Sequence, residues 1–178
     1  MTKSYPDNPS LAIRPERASD FAGIRSVVQA AFRSAEHSDG NEHDLVERIR
    51  KTDAYIPELA LVALLDGKVV GHIMLSKIRI GHAQALALAP LSVHPDHQGK
   101  GIGKSLIGKA HGKASESGYT CCVVLGSPGY YSKTGYKKAS NFGIYAPFDV
   151  PDKYYMVFPF GASDIPAGRV SYCEAFGS

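Results

Sequence analysis

Residues 98–105 form a glycine-rich turn whose residue types suit the binding of a phosphate or pyrophosphate. The stretch reads Gln98-Gly99-Lys100-Gly101-Ile102-Gly103-Lys104-Ser105. Glycine adopts positive φ freely, so successive N–H groups of such a turn can point toward one anion. The helix predicted to begin here adds unpaired N–H donors and a partial positive charge. A plain strand-to-helix turn is the alternative interpretation of the same residues.

The spacing of the glycines excludes two nucleotide-binding motifs. A Walker A loop would end at Ser105, and its first glycine would then stand at position 98, which is Gln98. The dinucleotide fingerprint G-x-G-x-x-G also fails, because its last glycine would fall on Lys104 or Leu106. A phosphate-binding nucleoside triphosphatase is therefore disfavoured.

A different pattern fits the turn, and a second motif follows it. An apolar strand and a V-x-P turn lead into Gln98-x-x-Gly101-x-Gly103, which resembles the acetyl-CoA signature of the GNAT family of N-acetyltransferases. The later motif, which resembles that family's Y-x-K-x-G-F/Y segment, is Tyr131-x-Lys133-x-Gly135-Tyr136. The order and separation of the two motifs match as well. The resemblance covers residues 11–176 and points to the YhbS-like branch of the family.

The resemblance implies a fold and a cofactor site. The GNAT fold is an α/β (α+β) domain with a mixed, mostly antiparallel sheet of about six to seven strands, splayed between strands 4 and 5 and flanked by about four helices. We expect residues 1–178 to form one such domain. Acetyl-CoA is the implied acyl donor, with its pantetheine arm in the splay. The cofactor-binding residues carried over are Leu91, Ser92, Val93, Gln98, Gly99, Lys100, Gly101, Ile102, Gly103, Lys104, Ser127 and Tyr131.

The implied reaction is direct acyl transfer, in which an amine attacks the thioester in a ternary complex. Tyr131 occupies the family's general-acid position, and Tyr130 is interpreted as structural. A tyrosine of pKa about 10 can protonate a thiolate whose pKa is about 8.5. A packed aromatic residue is the alternative interpretation of Tyr131. A CoA-binding regulatory domain without catalysis is the alternative function.

The base that removes a proton from the amine has several candidates. Many family members place a carboxylate on strand 4, but residues 85–89 contain no acid here. His72 on the predicted third strand is the candidate base. Glu36, Glu42 and His43 near the second helix are alternatives that would act through water.

Hydrophobic patterning predicts the elements that position these residues. Apolar spacing predicts helices after Ser19 as the N-cap, from Asn41, and over 102–118 with Gly118 as the C-cap. Two apolar runs joined by Asp66-Gly67 predict a hairpin. Pro90 predicts a bulge or an interrupted pairing in the fourth strand. The predicted strands are residues 11–14, 59–65, 68–80, 85–93 and 121–125, with strand-like pieces at 154–160 and 169–176.

The composition is that of an ordinary globular domain. The chain has 178 residues, of which 44% are hydrophobic and 21% are charged. Cys121, Cys122 and Cys173 suit reduced thiols in a cytoplasmic protein better than a disulfide framework, and no spacing suggests a zinc site. An apolar strand raises a thiol's pKa, so Cys122 is disfavoured as a nucleophile.

Net charge and the length of the apolar runs limit the classes of binding partner. A net charge of +3 without a basic cluster disfavours nucleic acid, and no apolar run is long enough for a membrane span. We expect a small-molecule or peptide amine as acceptor, and a monomer or homodimer. Five aromatic residues of the tail either line the acceptor pocket or form a second small core: Tyr145, Phe148, Tyr154, Tyr155 and Phe158.

Overall fold

The computed structural model of the protein describes residues 10–33, 40–161 and 164–177, which contain nine strands and four α-helices. The strands are β1 (Leu11–Pro15), β2 (Ala60–Leu65), β3 (Lys68–Ile80), β4 (Ala83–Val93), β5 (Cys121–Leu125), β6 (Lys137–Lys138), β7 (Ile144–Tyr145), β8 (Tyr155–Pro159) and β9 (Gly168–Ser171). The helices are α1 (Phe21–Phe32), α2 (Glu42–Arg50), α3 (Ile102–Glu116) and α4 (Pro128–Tyr131).

The strands form one mixed sheet. Seven of them lie in the order β1-β2-β3-β4-β5-β8-β6, which agrees with the predicted six to seven. Neighbours on this path are antiparallel except for β4 and β5, which are parallel. Outside the path, β9 pairs with β3 and with β7. The predicted fold class is confirmed.

Two local signals in the sequence shape the centre of the sheet. The β2–β3 hairpin turns at Asp66 and Gly67, both with positive φ (51° and 82°), as a type I′ turn requires. In β4 the register passes from Leu88 to Leu91 while β3 advances by only two residues, so Ala89 and Pro90 together lie opposite one residue of β3. This is the bulge predicted from Pro90, which cannot donate to the ladder.

Helices cover both faces of the sheet. Leu106 and Ala110 of α3 pack against one face, beside Leu75 and Leu86. On the opposite face, α1 and α2 pack against side chains of β2 and β3, with Ile49 of α2 in the same cluster as Met74. The end of α3 is a Schellman motif, because Tyr119 N–H donates to Ala114 O (3.2 Å) and Gly118 N–H to Ser115 O (3.0 Å). The predicted C-terminal glycine of this helix is therefore confirmed, one residue past the cap.

Two predicted boundaries are wrong. The first helix is capped by Asp20 rather than Ser19, because residues 18–20 form a tight 3₁₀ turn. The carboxylate of Asp20 holds that turn by accepting bonds from Arg14 (2.7 Å) and from the Arg17 N–H (2.8 Å). The last strand ends at Ser171, and residues 174–176 form another 3₁₀ turn that packs on α2.

Candidate active site

The glycine-rich turn leads from β4 into α3 and leaves several backbone donors available. Gly99 and Gly101 have φ values of 77° and 87°, a conformation that disfavours any residue with a Cβ. Gly101 is the N-cap, and Ser105 N–H donates the first helical bond to its carbonyl oxygen (3.0 Å). The first N–H groups of α3, beginning at Ile102, therefore have no intrahelical acceptor. They form the donor-rich end of the helix that an anionic group requires.

Gln98 ties the turn to the end of β4. Its Nε2 donates to the carbonyl oxygen of Val93 at 2.9 Å. His97 N–H donates to His94 O (2.8 Å), which closes a 3₁₀ turn between the strand and the glycines. The side chain of Gln98 thus holds the turn in place, and its backbone N–H donates a long bond (3.5 Å) to the Pro95 carbonyl oxygen.

β4 and β5 separate toward this turn. They pair only at Leu86–Cys122 and Ala87–Val123, although β4 continues to Val93. His94 N–H donates to Val70 O (2.8 Å), so alternation along the antiparallel ladder points the backbone groups of Leu91 and Val93 away from β3. Those groups line the opening between the two strands. An extended amide-containing chain can pair with the backbone of Leu91 and with the Val93 N–H, whereas the Val93 carbonyl oxygen already accepts from Gln98.

α4 forms the other side of the opening. Ser127, its N-cap, is exposed. The ring of Tyr131 lies so close to Gly126 that a Cβ there would be 2.5 Å from Tyr131 Cε2. Its centroid is 5.4 Å from that of Tyr136, edge to face. Burial raises the pKa of Tyr131 above the ordinary tyrosine value, so the phenol remains protonated at neutral pH and can donate.

His72 lies on the opposite face of the sheet, in a buried polar network. Its side chain is 0% exposed, and its Nε2 is 2.8 Å from Oε1 of Glu16, the residue after β1. Arg50 also binds this carboxylate, through Nε (2.8 Å) and an Nη (3.0 Å), and the Tyr55 hydroxyl donates to it at 2.7 Å. Burial by itself raises the pKa of Glu16, but these donors outweigh burial and lower it to about 2.

The chain matches proteins of one family. The model of the acetyltransferase (GNAT) family matches residues 23–136. The N-acetyltransferase YjhQ of Escherichia coli is 32% identical over 141 residues, 76% of this chain and 75% of YjhQ. The N-acetyltransferase YhbS of the same species is 28% identical over 171 residues, 93% of this chain and 98% of YhbS. The chain belongs to the GNAT family. It is therefore an N-acetyltransferase by family, and the predicted family and enzyme class are confirmed.

Solved structures of GNAT proteins agree with this assignment. A GNAT acetyltransferase from Brucella melitensis in complex with acetyl-CoA is 38% identical, with a TM-score of 0.78 over 93% of this chain and 97% of the other. YhbS of Escherichia coli in complex with CoA is 25% identical, with a TM-score of 0.86 over 95% of this chain and 93% of the other.

The structure brings most of the predicted GNAT cofactor residues to one place. The turn follows β4, Ser127 and Tyr131 follow β5, and the two strands are neighbours. Ile102 has a buried side chain, so only its backbone N–H can contact a ligand. Among the described residues, no helix is long and apolar enough to cross a bilayer.

The remaining residues predicted as alternative bases or as acceptor-pocket residues do not lie together. Glu36 lies outside the described residues. Glu42 and His43 lie on α2, and His43 Nε2 is 3.4 Å from Asp44 Oδ1. Tyr155 is buried and its hydroxyl is 2.7 Å from that of Tyr172.

The five aromatic residues of the tail do not form one group. Phe158 packs on the α3 face, with its ring centroid 4.3 Å from that of His111, whereas Phe148 lies near Tyr155 and Tyr172. The prediction of a common acceptor pocket is wrong for Phe158, because the alternation of β8 sends it to the other side of the sheet from Tyr155.

Sequence reasoning missed the partners of His72. Glu16, Arg50 and Tyr55 lie in three different elements or loops, and no local spacing relates them. The only signal was weak: a histidine inside an apolar strand must find a polar partner when it is buried.

Proposed function

We propose that the protein transfers the acetyl group of acetyl-CoA to a primary amine by direct attack within a ternary complex. The observation that carries this proposal is the opening between β4 and β5, which ends at the glycine turn on one side and at α4 on the other. Family membership supports acetyl transfer, and the relatives solved with acetyl-CoA or CoA support the same donor here.

The residues present fit acetyl-CoA. The turn and the first turn of α3 supply N–H donors for a pyrophosphate, with Lys100 and Lys104 adjacent. Backbone groups of Leu91 and Val93 face the opening and suit the amides of a pantetheine arm. Gly103 gives α4 room to approach α3 closely. Bound acetyl-CoA supplies an acetyl group activated as a thioester.

Side chains and backbone of this chain then carry the proton and charge movements. A backbone N–H of β4 stabilises negative charge that develops on the carbonyl oxygen. Tyr131 donates a proton to the departing thiolate, and its raised pKa keeps that proton available. His72 accepts the proton that the ammonium form of the amine must lose before attack. The acceptor is a small-molecule or peptide amine, and the small net charge of +3 favours no polyanionic partner.

Two measurements test the proposal. Thermal unfolding is followed with acetyl-CoA, CoA and ATP, and release of thiol is then measured with a short alkyl amine, an amino sugar, an amino acid ester and a lysine peptide. We expect stabilisation by both forms of CoA and thiol release with at least one amine. Stabilisation by ATP alone would contradict the proposal, and CoA binding without any thiol release would favour the regulatory alternative.

A further inference from the structure

We propose that Glu16, His72 and Ser92 form a buried relay that takes the proton from the acceptor amine through the Ser92 hydroxyl. This inference rests on the acetyl transfer proposed above. It assigns Ser92 as the group that contacts the amine, and it makes His72 and Glu16 positioning residues that act through Ser92.

The bonds of Glu16 fix the state of the His72 ring. The Glu16 carboxylate is 0% exposed and accepts bonds from Arg50 and from the Tyr55 hydroxyl. An ionised carboxylate can only accept hydrogen bonds, so the Nε2 of His72, 2.8 Å away, must carry a proton. In the neutral ring, the proton on Nε2 leaves Nδ1 with a free lone pair, which is the arrangement of a base.

Two residues that pair across the β3–β4 ladder each carry a buried polar atom without a partner. Within the described part of the chain, neither His72 Nδ1 nor Ser92 Oγ has a hydrogen-bond partner. Ser92 is 2% exposed, and it is the residue directly opposite His72 in the β3–β4 ladder. The bond from His94 N–H to Val70 O makes the His72–Ser92 pair a hydrogen-bonded one, with its Cα atoms about 5.5 Å apart. Side chains of such a pair share one face of the sheet.

Buried polar atoms are nearly always satisfied, so two adjacent exceptions need an explanation. A ligand that bonds to the Ser92 hydroxyl, while that hydroxyl bonds to Nδ1, would satisfy both atoms. The Ser76 hydroxyl is a further unpartnered atom on the same face of β3, but it is four residues from His72 and pairs with Ala87 across the β3–β4 ladder. Among the unpartnered buried side-chain atoms of the described residues, only His72 Nδ1 and Ser92 Oγ belong to residues that pair with each other in the sheet.

Ser92 is placed between the cofactor side and the acceptor side of the sheet. Its neighbours Leu91 and Val93 present backbone groups to the opening between β4 and β5. A Cβ on Gly71, which pairs with Val93, would be 3.2 Å from Ile102 and 3.1 Å from Leu106, so the Gly71–Val93 pair faces α3. The His72–Ser92 pair therefore faces α1 and α2. An amine that approaches the thioester from this face meets Ser92 before His72.

The proton transfer balances without another reactant. The N–H bond of the ammonium breaks and its proton goes to Ser92 Oγ, while the original proton of Ser92 goes to His72 Nδ1. The amine nitrogen keeps the electron pair with which it attacks the carbonyl carbon. The second proton that this nitrogen loses as the amide forms replaces the one that Tyr131 gives to the thiolate. The imidazolium that forms is held against the Glu16 carboxylate. After product release it returns its proton to solvent through the same hydroxyl.

The groups that face His72 shift its pKa in opposite directions. Burial lowers the pKa of His72, the Glu16 carboxylate raises it, and the Arg50 guanidinium lowers it. Tyr55 donates to Glu16 and is uncharged, because burial raises its pKa. Ser92 on β4 contributes no charge. The net effect lowers the pKa of His72, so the ring is neutral at pH 7 with its Nε2–H already bound to Glu16.

Kinetic measurements on three variants distinguish a proton relay from a purely structural role of His72 and Ser92. His72→Gln keeps an N–H donor for Glu16 but removes the basic nitrogen, Ser92→Ala removes the hydroxyl, and Ser76→Ala is the matched control. With the fastest amine of the panel, we expect the first two variants to lose about 10²- to 10⁴-fold in kcat/KM. Their kcat/KM should rise tenfold per pH unit up to the pKa of the amine, while the wild type and Ser76→Ala level off earlier. Because the Ser92 side chain is buried on the α1 and α2 face and not in the opening that was predicted to hold the cofactor, the dissociation constant for CoA should stay within about twofold in all three variants.

A spectroscopic readout tests the relay independently of turnover. Two-bond ¹H–¹⁵N correlations of the full chain should show His72 protonated on Nε2 and bare on Nδ1 at pH 7, and Glu16→Gln should disturb this tautomer. A proton on Nδ1 in the wild type would overturn the relay, as would a Ser92→Ala pH profile that matches Ser76→Ala. Absence of thiol release from the wild type would instead contradict the proposed acetyl transfer, and the tautomer would still be measured.

Discussion

The hydroxyl of Tyr130 on α4 lies against Gly103 in the first turn of α3. A Cβ on Gly103 would be 2.5 Å from Tyr130 Oη and 3.7 Å from Val93 Cγ2. The two residues therefore join the flanks of the β4–β5 opening, one following each strand. Tyr130 is 37% exposed and burial raises its pKa, so it presents a neutral hydroxyl at the place where the pantetheine arm is proposed to pass.

Gly103→Ala should weaken CoA binding at least tenfold, because the added methyl group displaces the Tyr130 hydroxyl and with it α4. Overpacking of this kind should also lower the free energy of unfolding by about 1–3 kcal/mol. Gly108→Ala is the matched control on the same helix, since a Cβ there has nothing within 4 Å. That control should be stabilised by up to about 1 kcal/mol and bind CoA as the wild type does. Calorimetry with CoA and thermal unfolding measure both effects.

Removal of the Tyr130 hydroxyl should restore CoA binding to the Gly103→Ala variant. In Gly103→Ala combined with Tyr130→Phe, the nearest remaining atom is Cζ, which the same Cβ approaches to 3.7 Å. We expect CoA affinity to recover to within about threefold of that of Tyr130→Phe alone, a coupling that additive effects would not produce. Failure of this rescue would mean that Gly103 is required for a reason other than its approach to Tyr130.

Tyr131→Phe should lower kcat by about 10²-fold while CoA affinity stays within about twofold. The ring still packs against Gly126 and Tyr136, so the opening keeps its shape and only the proton donor is lost. Because burial raises the pKa of Tyr131, the wild type should show no alkaline fall in kcat below about pH 10 from this group. Tyr119→Phe, beyond the far end of α3, is the control. Normal turnover of Tyr131→Phe would remove Tyr131 from the mechanism.

Local signals in the sequence predicted much of the fold. The hairpin depends on Asp66-Gly67, and the bulge depends on Pro90, which lacks an N–H in any context. β6 and β7 were missed because two residues show no periodicity. The pairing of β9 with β3 was missed for a different reason, since it joins Ser171 to Arg79 across about half of the chain and depends on tertiary packing.

The same difference between local sequence signals and long-range packing applies to the candidate active site. The residues expected to hold acetyl-CoA lie in two short motifs, so a resemblance could point to them. The network around His72 draws residues from four separate elements or loops, and its carboxylate lies 56 residues from the histidine. Such a cluster leaves no pattern along the chain, because only the register of β3 and the packing of α2 bring Glu16, Arg50 and His72 together.

Cys122 should be inert in the folded protein. It is fully buried on β5, and burial raises the pKa of its thiol to about 12, so only about one molecule in 10⁴ is a thiolate at pH 8. Incubation with acetyl-CoA alone should leave the intact mass unchanged, as direct transfer requires. Iodoacetamide at pH 8 should leave Cys122 unmodified until guanidinium unfolds the chain. An acetylated enzyme that hydroxylamine reverses would instead indicate a covalent mechanism through a thiol.

Glu16 should make the fold sensitive to acid. Its folded pKa, about 2, lies below the ordinary value of 4.5, so its contribution to stability is complete above about pH 5 and is lost as the pH falls toward 2. The difference corresponds to about 3 kcal/mol. Burial also lowers the pKa of His72, so this histidine contributes in the same direction, and its stabilisation is lost as the pH falls below about 6.5.

Urea unfolding of the wild type and of Glu16→Gln between pH 3 and pH 7 measures the Glu16 contribution. The variant should be less stable at pH 7, because Arg50 remains buried without its charge partner. The difference in unfolding free energy between the wild type and the variant should become steadily smaller below pH 5. Glu47→Gln is the control: it removes an ion pair of similar length, 2.7 Å from Arg25 against 2.8 Å between Glu16 and Arg50, but an exposed one worth at most about 1 kcal/mol. A gap between wild type and Glu16→Gln that does not change with pH would mean that Glu16 is protonated in the folded protein, and the relay would then lose the carboxylate that sets the tautomer of His72.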